Sequence, residues 1–131
     1  MNLRKADADI AAAELLLSPL GNPSNDEALL DLAAYHIQQG IEKLLKYRLH
    51  ELHGADDTAG AFRTHKIYDL INMLEEQYEE VLPADLKKMA ITITDWEAES
   101  RYNDNLTATR EEMEAAIRIY RGLRAEISPA T

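Results

Sequence analysis

Three cations crowd the run EKLLKYRLH, where Lys43, Lys46 and Arg48 make a net positive segment in a chain rich in carboxylates. Side chains three residues apart on a helix stand side by side, so Lys43 and Lys46 are candidates for gripping a phosphate. Arg101 is a second candidate. Its planar guanidinium can clamp a phosphate through two parallel hydrogen bonds, and Tyr102 beside it offers a ring for base stacking. A third constellation is His65 with Asp69 one helical turn later, the pattern in which a carboxylate orients an imidazole for proton transfer. Each has a plainer explanation. Arg101 could complement a helix C-terminus or pair with Glu97, Glu42 could pair with Lys46 on a solvated helix flank, lysine stems could cover the core edge, and His65 could hydrogen-bond the loop before its helix. His36 reads as a satisfied histidine of a helical core. His50 and His53 are three residues apart with only Glu51 close by, which is weak spacing for zinc, and no metal site is assigned.

Composition narrows the chemistry further. The 131 residues carry 14 Lys and Arg against 24 Asp and Glu, a formal charge of −10. Duplex binding draws most of its affinity from neutralising phosphates, so this balance argues against DNA or extended RNA coating and leaves room only for a local pocket. There is no Cys, which excludes disulfides, thiolate metal sites and cysteine nucleophiles and fits a reducing compartment. No Gly-rich phosphate loop, Gly-x-Ser-x-Gly elbow or paired-histidine zinc motif occurs, and no cofactor is expected. The opening MNLRKADADIAAAELLL interrupts its apolar positions with Asp7, Asp9 and Glu14, so it reads neither as a signal peptide nor as a membrane span. A cytoplasmic protein of one domain over residues 1–131 is the expectation.

The elements that must position these residues are helical, because alternating Val, Ile and Thr patterns are almost absent. A first helix is predicted from about Leu3 to Leu17, ended by Pro19, Gly21, Asn22 and Pro23. A capping box of Ser24 and Glu27 should start a long second helix, whose stripe runs from Leu30 through Ile37, Ile41 and Leu45 to Leu52 and which reaches His50 or His53. Gly54–Arg63 reads as a surface loop. Thr64 should cap a third helix with Ile67, Leu70, Ile71 and Leu74 on its buried face, and the acidic run Glu75–Glu80 should be solvated. Pro83 suits the first turn of a fourth helix bearing Leu86, Ala90, Ile93 and Trp96 and fading near Arg101. A second capping box, Thr109 with Glu112, precedes a fifth helix carrying Met113, Tyr120, Leu123 and Ile127. Short connections between four of these helices favour antiparallel neighbours. The fold class is therefore all-α, an up-and-down bundle of four to five helices without internal repeats.

Three segments together resemble one family. AAYHIQQGIEKLLKYRL, the Thr64–His65 pair leading into KIYDLINML, and WEAESRYNDNLTATREEMEAAIRIYRGL are similar to the HEPN family of small helical domains over roughly Ala33 to Leu123. The family's Gln-x-x-Glu-Lys pattern is matched by Gln39, Glu42 and Lys43, with a further lysine at Lys46, and its Ser-Arg-Tyr close by Ser100, Arg101 and Tyr102. The resemblance implies a dimer with a cleft at its interface. Many members cut RNA without a metal, using an arginine followed four to six residues later by a histidine, while others bind nucleotides or partner small nucleotidyltransferases. Here Arg101 is followed by Tyr102, Asn103, Asp104, Asn105, Leu106 and Thr107. No residue in that window has a side-chain pKa near neutrality, which metal-free cleavage requires of its acid or base.

The reading that follows is a nucleotide-binding or nucleotidyltransferase-partner module, dimeric and without the catalytic histidine, with Arg101, Tyr102, Lys43, Lys46, Glu42, Gln39, His65 and Asp69 as candidate ligand contacts. Leu29, Leu32 and Leu45 flank the main stripe of the second helix and are candidates for the dimer surface. Two alternatives stand beside it: a metal-independent ribonuclease of a toxin-antitoxin system, and a helical scaffold that only binds a partner.

Overall fold

The computed structural model describes residues 3–53, 63–102 and 108–127, with the side chains of 98–102 left outside the description. It contains α1 (Arg4–Leu17), α2 (Glu27–His53), α3 (Ile67–Tyr78), α4 (Ala84–Tyr102) and α5 (Arg110–Ile127) and, among the described residues, no strand. The segment expected to loop between Gly54 and Arg63 lies outside the described residues except for Arg63 itself. Among the described residues no helix is long and apolar enough to cross a membrane.

Helix α2 is the central element, touching all four others. Its stripe of Ile37, Ile41, Leu44 and Leu45 is fully buried, together with Ile67, Leu70 and Leu74 of α3, Leu86, Ile93 and Trp96 of α4, and Met113 and Leu123 of α5. Leu45 is thus a core residue rather than a surface one, because it falls on the inward side of the stripe. Of the three expected to face a dimer partner, Leu32 is the exposed one. Helix α1 packs on α2 through Ala6, Ile10 and Ala13, the two alanines permitting close approach. A Cβ on Gly40 would lie 2.8 Å from Ile10 Cδ1 and 3.2 Å from the Ala6 carbonyl, so the glycine sets the depth of this contact.

Directions follow from the side-chain contacts. Asp9 reaches both His36 and Lys43, which lays α1 against the middle of α2, and the short connection from Leu17 to Glu27 makes the two helices antiparallel neighbours. Gln38 donates to the His65 carbonyl near the start of α3, while Arg48 pairs with Glu80 and His53 with Tyr78 at its end. Helices α2 and α3 therefore run the same way, which the long connection between them allows. Helix α4 is antiparallel to α3, with Thr94 beside Ile67 and Lys87 beside Glu75. The end-on run Glu75–Glu80 is less solvated than its composition suggests, since Glu75 also accepts from the Leu82 N–H and Glu80 binds Arg48.

The helix starts show which local signals prevail. Thr109 and Glu112 form the expected reciprocal box: the Thr109 N–H donates to Glu112 Oε1 at 2.9 Å and the Glu112 N–H to Thr109 Oγ1 at 3.0 Å. The Ser24–Glu27 box is not made. Asp26 caps α2 instead, accepting from the Ala28 N–H at 2.8 Å, and is itself held by buried Asn22 through bonds of 2.7 and 3.1 Å. Asn25 takes the left-handed conformation in this turn, and Gly21 is required because a Cβ there would sit 2.2 Å from the Leu15 carbonyl oxygen. Thr64 likewise does not cap α3, whose N-cap is Lys66. Pro83 stands one residue before α4, its carbonyl accepting from Lys87.

Candidate functional site

The polar residues of α2 divide onto two faces. Gln38, Glu42 and Lys46 recur every four residues and form a ladder towards α3: Gln38 Nε2 donates to Glu42 Oε1 at 2.9 Å and Lys46 Nζ to Glu42 Oε2 at 3.0 Å. The Lys46 and Glu42 side chains are only 8% and 7% exposed. The intrahelical pair anticipated for a solvated flank is therefore buried, because α3 and the residues preceding it close over it. A carboxylate at this depth must have its acceptor sites filled, and Glu42 draws on three partners to do so. Gln38 completes the arrangement by donating to the His65 carbonyl at 3.2 Å and accepting from Gln39 Nε2 at 2.7 Å.

His65 is the third partner of Glu42. Its Nδ1 lies 3.3 and 3.2 Å from the two carboxylate oxygens, and its side chain is 60% exposed. The imidazole is thus held at one nitrogen by a buried carboxylate and open to solvent elsewhere, an arrangement that fixes ring orientation and favours a proton on Nδ1. The expected orienting residue was Asp69. That carboxylate instead accepts from Thr64 Oγ1 at 2.9 Å, while Thr64 Oγ1 also accepts from the Lys66 N–H. The first N–H of α3 finds its acceptor at a distance in sequence, on Thr94 Oγ1 at 2.9 Å. Thr94 in turn donates to Ala90. Asp69 faces the turn because α3 begins at Ile67, which places position 69 away from α2.

The lysines do not converge. Lys43 reaches across α1 to Asp9 Oδ2, and His36 Nδ1 binds Asp9 Oδ1 at 2.9 Å, while Lys46 points the other way and Arg48 is taken by Glu80 and Glu51. The basic run therefore makes no single positive pocket, since a helix spreads positions 43, 46 and 48 around its axis and each meets a carboxylate. Gln39 and Lys43, which matched the motif in sequence, are flanking residues of a ladder whose members are Gln38, Glu42 and Lys46. Gln38 was missed because a glutamine beside two apolar stripe residues gives no local sign of burial; the four-residue spacing of Gln38, Glu42 and Lys46 was the available signal. Asp9 carried no signal at all.

Arg101 and Tyr102 occupy the last turn of α4, and their side chains lie outside the description. Arg101 follows Thr94 by seven residues, about 10 Å along the helix axis. Because α3 and α4 are antiparallel, this advance and the two-residue step back from Ile67 to His65 go in the same direction. Backbone placement thus sets Arg101 and His65 at the same end of the α3–α4 pair, and sets both Lys43 and Lys46 away from Arg101.

An all-α bundle with a buried Gln-Glu-Lys ladder on its central helix and a Thr-His pair closing over that ladder is the class of molecule these observations define. The family model of the HEPN domain matches residues 2–128, and the chain belongs to that family. No curated protein and no solved structure matches it.

Proposed function

We propose that this protein is a nucleotide-binding HEPN module that acts without cutting RNA, as a homodimer and as the partner of a nucleotidyltransferase. The observation that carries this reading is the sequence after Arg101, where six residues pass without a histidine while an arginine fit to clamp a phosphate is kept. A ligand bound at this end of the bundle would have Arg101 for its phosphate and Tyr102 for its base. The surrounding surplus of negative charge favours a compact nucleotide over an extended polyanion, because only the former avoids the carboxylates around it. The test is calorimetry with mononucleotides on the wild type and Arg101→Ala. Salt-sensitive binding that the substitution weakens about tenfold or more supports the reading; no heat at millimolar nucleotide overturns it. Sedimentation at tens of micromolar tests the dimer, and a monomer would remove that part.

A second reading is favoured by one observation. The Nδ1 edge of His65 is held by Glu42 and its ring is exposed at the end of the bundle that carries Arg101, which is how an imidazole is presented for proton transfer. In this reading the protein is a metal-independent ribonuclease, the toxin of a toxin-antitoxin pair, with His65 in place of the missing histidine. RNA cleavage that survives EDTA and is lost in both Arg101→Ala and His65→Ala would replace the first reading with this one.

A further inference from the structure

Helices α1 and α5 flank α2 without packing closely on each other. They are joined by side chains. At one end Arg110 donates to the Leu17 carbonyl and to Asn25 Oδ1, and at the other Arg124 grips Asp7 through two bonds of 3.0 and 3.1 Å. Tyr120 Oη adds a third bond to Asp7 at 2.5 Å; burial and the neighbouring carboxylate raise the phenol's pKa, so it remains a donor. Between these ties runs a groove in two adjoining segments of about 460 and 360 Å³, which share Glu14 and Arg121 as lining residues. Each segment is within the size range of small-molecule sites.

All four arginines of α5 line this groove. Two of them, Arg110 and Arg124, are committed to the ties that hold its walls. Arg118 forms no ion pair or hydrogen bond among the described residues and is exposed. Arg121 pairs with Glu14, both side chains being open to solvent at 57% and 44%, so water and salt weaken that pair and a stronger anion can displace it. Arg118 and Arg121 are three residues apart on one helix, so their side chains leave it as neighbours and their guanidinium forks can reach one ligand. Forks so placed suit adjacent phosphoryl groups, each accepting two parallel hydrogen bonds. Beneath them buried Ile10 and Ile117 give the groove an apolar floor.

We propose that the α1–α5 groove is an anion site for a compact di- or triphosphate, with Arg118 and Arg121 as its binding residues and Glu14 as the carboxylate that the phosphate displaces. Its binding arginines are distinct from Arg101, and the groove is short. Its basic wall spans fifteen residues from Arg110 to Arg124, about 21 Å of helix; Glu114 interrupts it, and Asp7 and Glu14 face it from α1. A long polyanion would meet those carboxylates, whereas a triphosphate contacts the two central arginines alone.

The test is titration of the full chain with sodium triphosphate, followed by calorimetry and by amide chemical shifts. Binding is expected to weaken about tenfold in Arg118→Ala or Arg121→Ala and further when both are replaced. It should tighten several-fold in Glu14→Gln, which removes the competing carboxylate, and hold in Lys88→Ala, an exposed lysine elsewhere on the bundle. Shifts should centre on α1 and α5 around Glu14 and Arg121. Adenosine triphosphate binding at least as tightly as triphosphate assigns the groove to nucleotides through its apolar floor, while markedly weaker binding assigns it to inorganic polyphosphate. No binding of triphosphate, affinity indifferent to both arginines, weaker binding in Glu14→Gln, or shifts centred away from α1 and α5 overturns the proposal.

Discussion

The two polar faces of α2 carry nearly the same chemistry under opposite conditions. Towards α3, one carboxylate, Glu42, serves a lysine, a glutamine and a histidine, with the Lys46–Glu42 pair almost wholly removed from water. Towards α1, one carboxylate, Asp9, serves a lysine and a histidine that keep 34% and 27% of their side-chain surface exposed. Inside, each lost partner strands a charge or a polar group; outside, water takes its place. The contrast shows that the number of contacts a carboxylate makes says little about its importance until the solvent around it is known.

The sharpest way to break the contrast is Glu42→Ala, which removes the buried carboxylate that Lys46, Gln38 and His65 share. The expected loss is about 3–5 kcal/mol of unfolding free energy, read from denaturant titration, and a loss below about 1 kcal/mol would show that water reaches the ladder. Replacing both charges by apolar side chains of similar size, Glu42→Leu with Lys46→Met, should recover most of that loss, because the cost lies in the orphaned partner more than in the missing attraction. If the double variant is as unstable as Glu42→Ala, the ion pair itself is the stabilising element. On the other face, Asp9→Ala should cost about 0.5–1 kcal/mol, since Lys43 and His36 can turn to solvent. A loss approaching that of Glu42→Ala would erase the distinction.

The smallest effect is expected at Asp7, and it should depend on pH. Burial pushes this carboxyl upward, but hydrogen bonds from Arg124 and Tyr120 outweigh that and draw its pKa below the ordinary value. A group depressed in the folded state stabilises it above the unfolded pKa, near 4, and ceases to do so as pH falls through the lower folded value. The side chain is 46% exposed, so Asp7→Asn should lower stability at neutral pH by no more than about 1 kcal/mol. The difference from wild type should shrink as pH falls below that unfolded value and vanish once Asp7 is protonated in the folded state as well. A gap that is constant from neutral to acid would assign the effect to packing rather than to charge.

Features decided within one helical turn were legible in the sequence. The apolar stripes, the Thr109–Glu112 box and the Glu42–Lys46 pair all depend on residues three or four apart, so spacing reveals them, whereas the equally spaced Ser24–Glu27 box gives way to Asp26, which Asn22 holds in the capping position. Features decided by the approach of another helix were not. The cap of α3 comes from Thr94, twenty-seven residues away from Ile67, and His65 chose Glu42 over the nearer Asp69 because the chain before α3 lies across α2. The motif residues Gln39 and Lys43 differ from Gln38 and Lys46 only by which side of α2 a neighbour covers, and that is set by the bundle. The groove between α1 and α5 was equally invisible, since it exists only because two helices distant in sequence stop short of each other.

The glycine contact between α1 and α2 sets an order in which the molecule opens. Helix α2 touches every other helix, so amide protons at its centre exchange with solvent only when the whole bundle comes apart. Helix α1 lies on α2 through the most extensive helix–helix contact among the described residues, drawn close at Gly40, and has only side-chain ties to α5. A side chain added at position 40 would push Ile10 and the Ala6 carbonyl away and open that contact first, loosening Asp9 from Lys43 and His36 while Glu42, Lys46 and Gln38 stay covered from the α3 side. The two polar faces of α2 thus depend for their cover on two different helices.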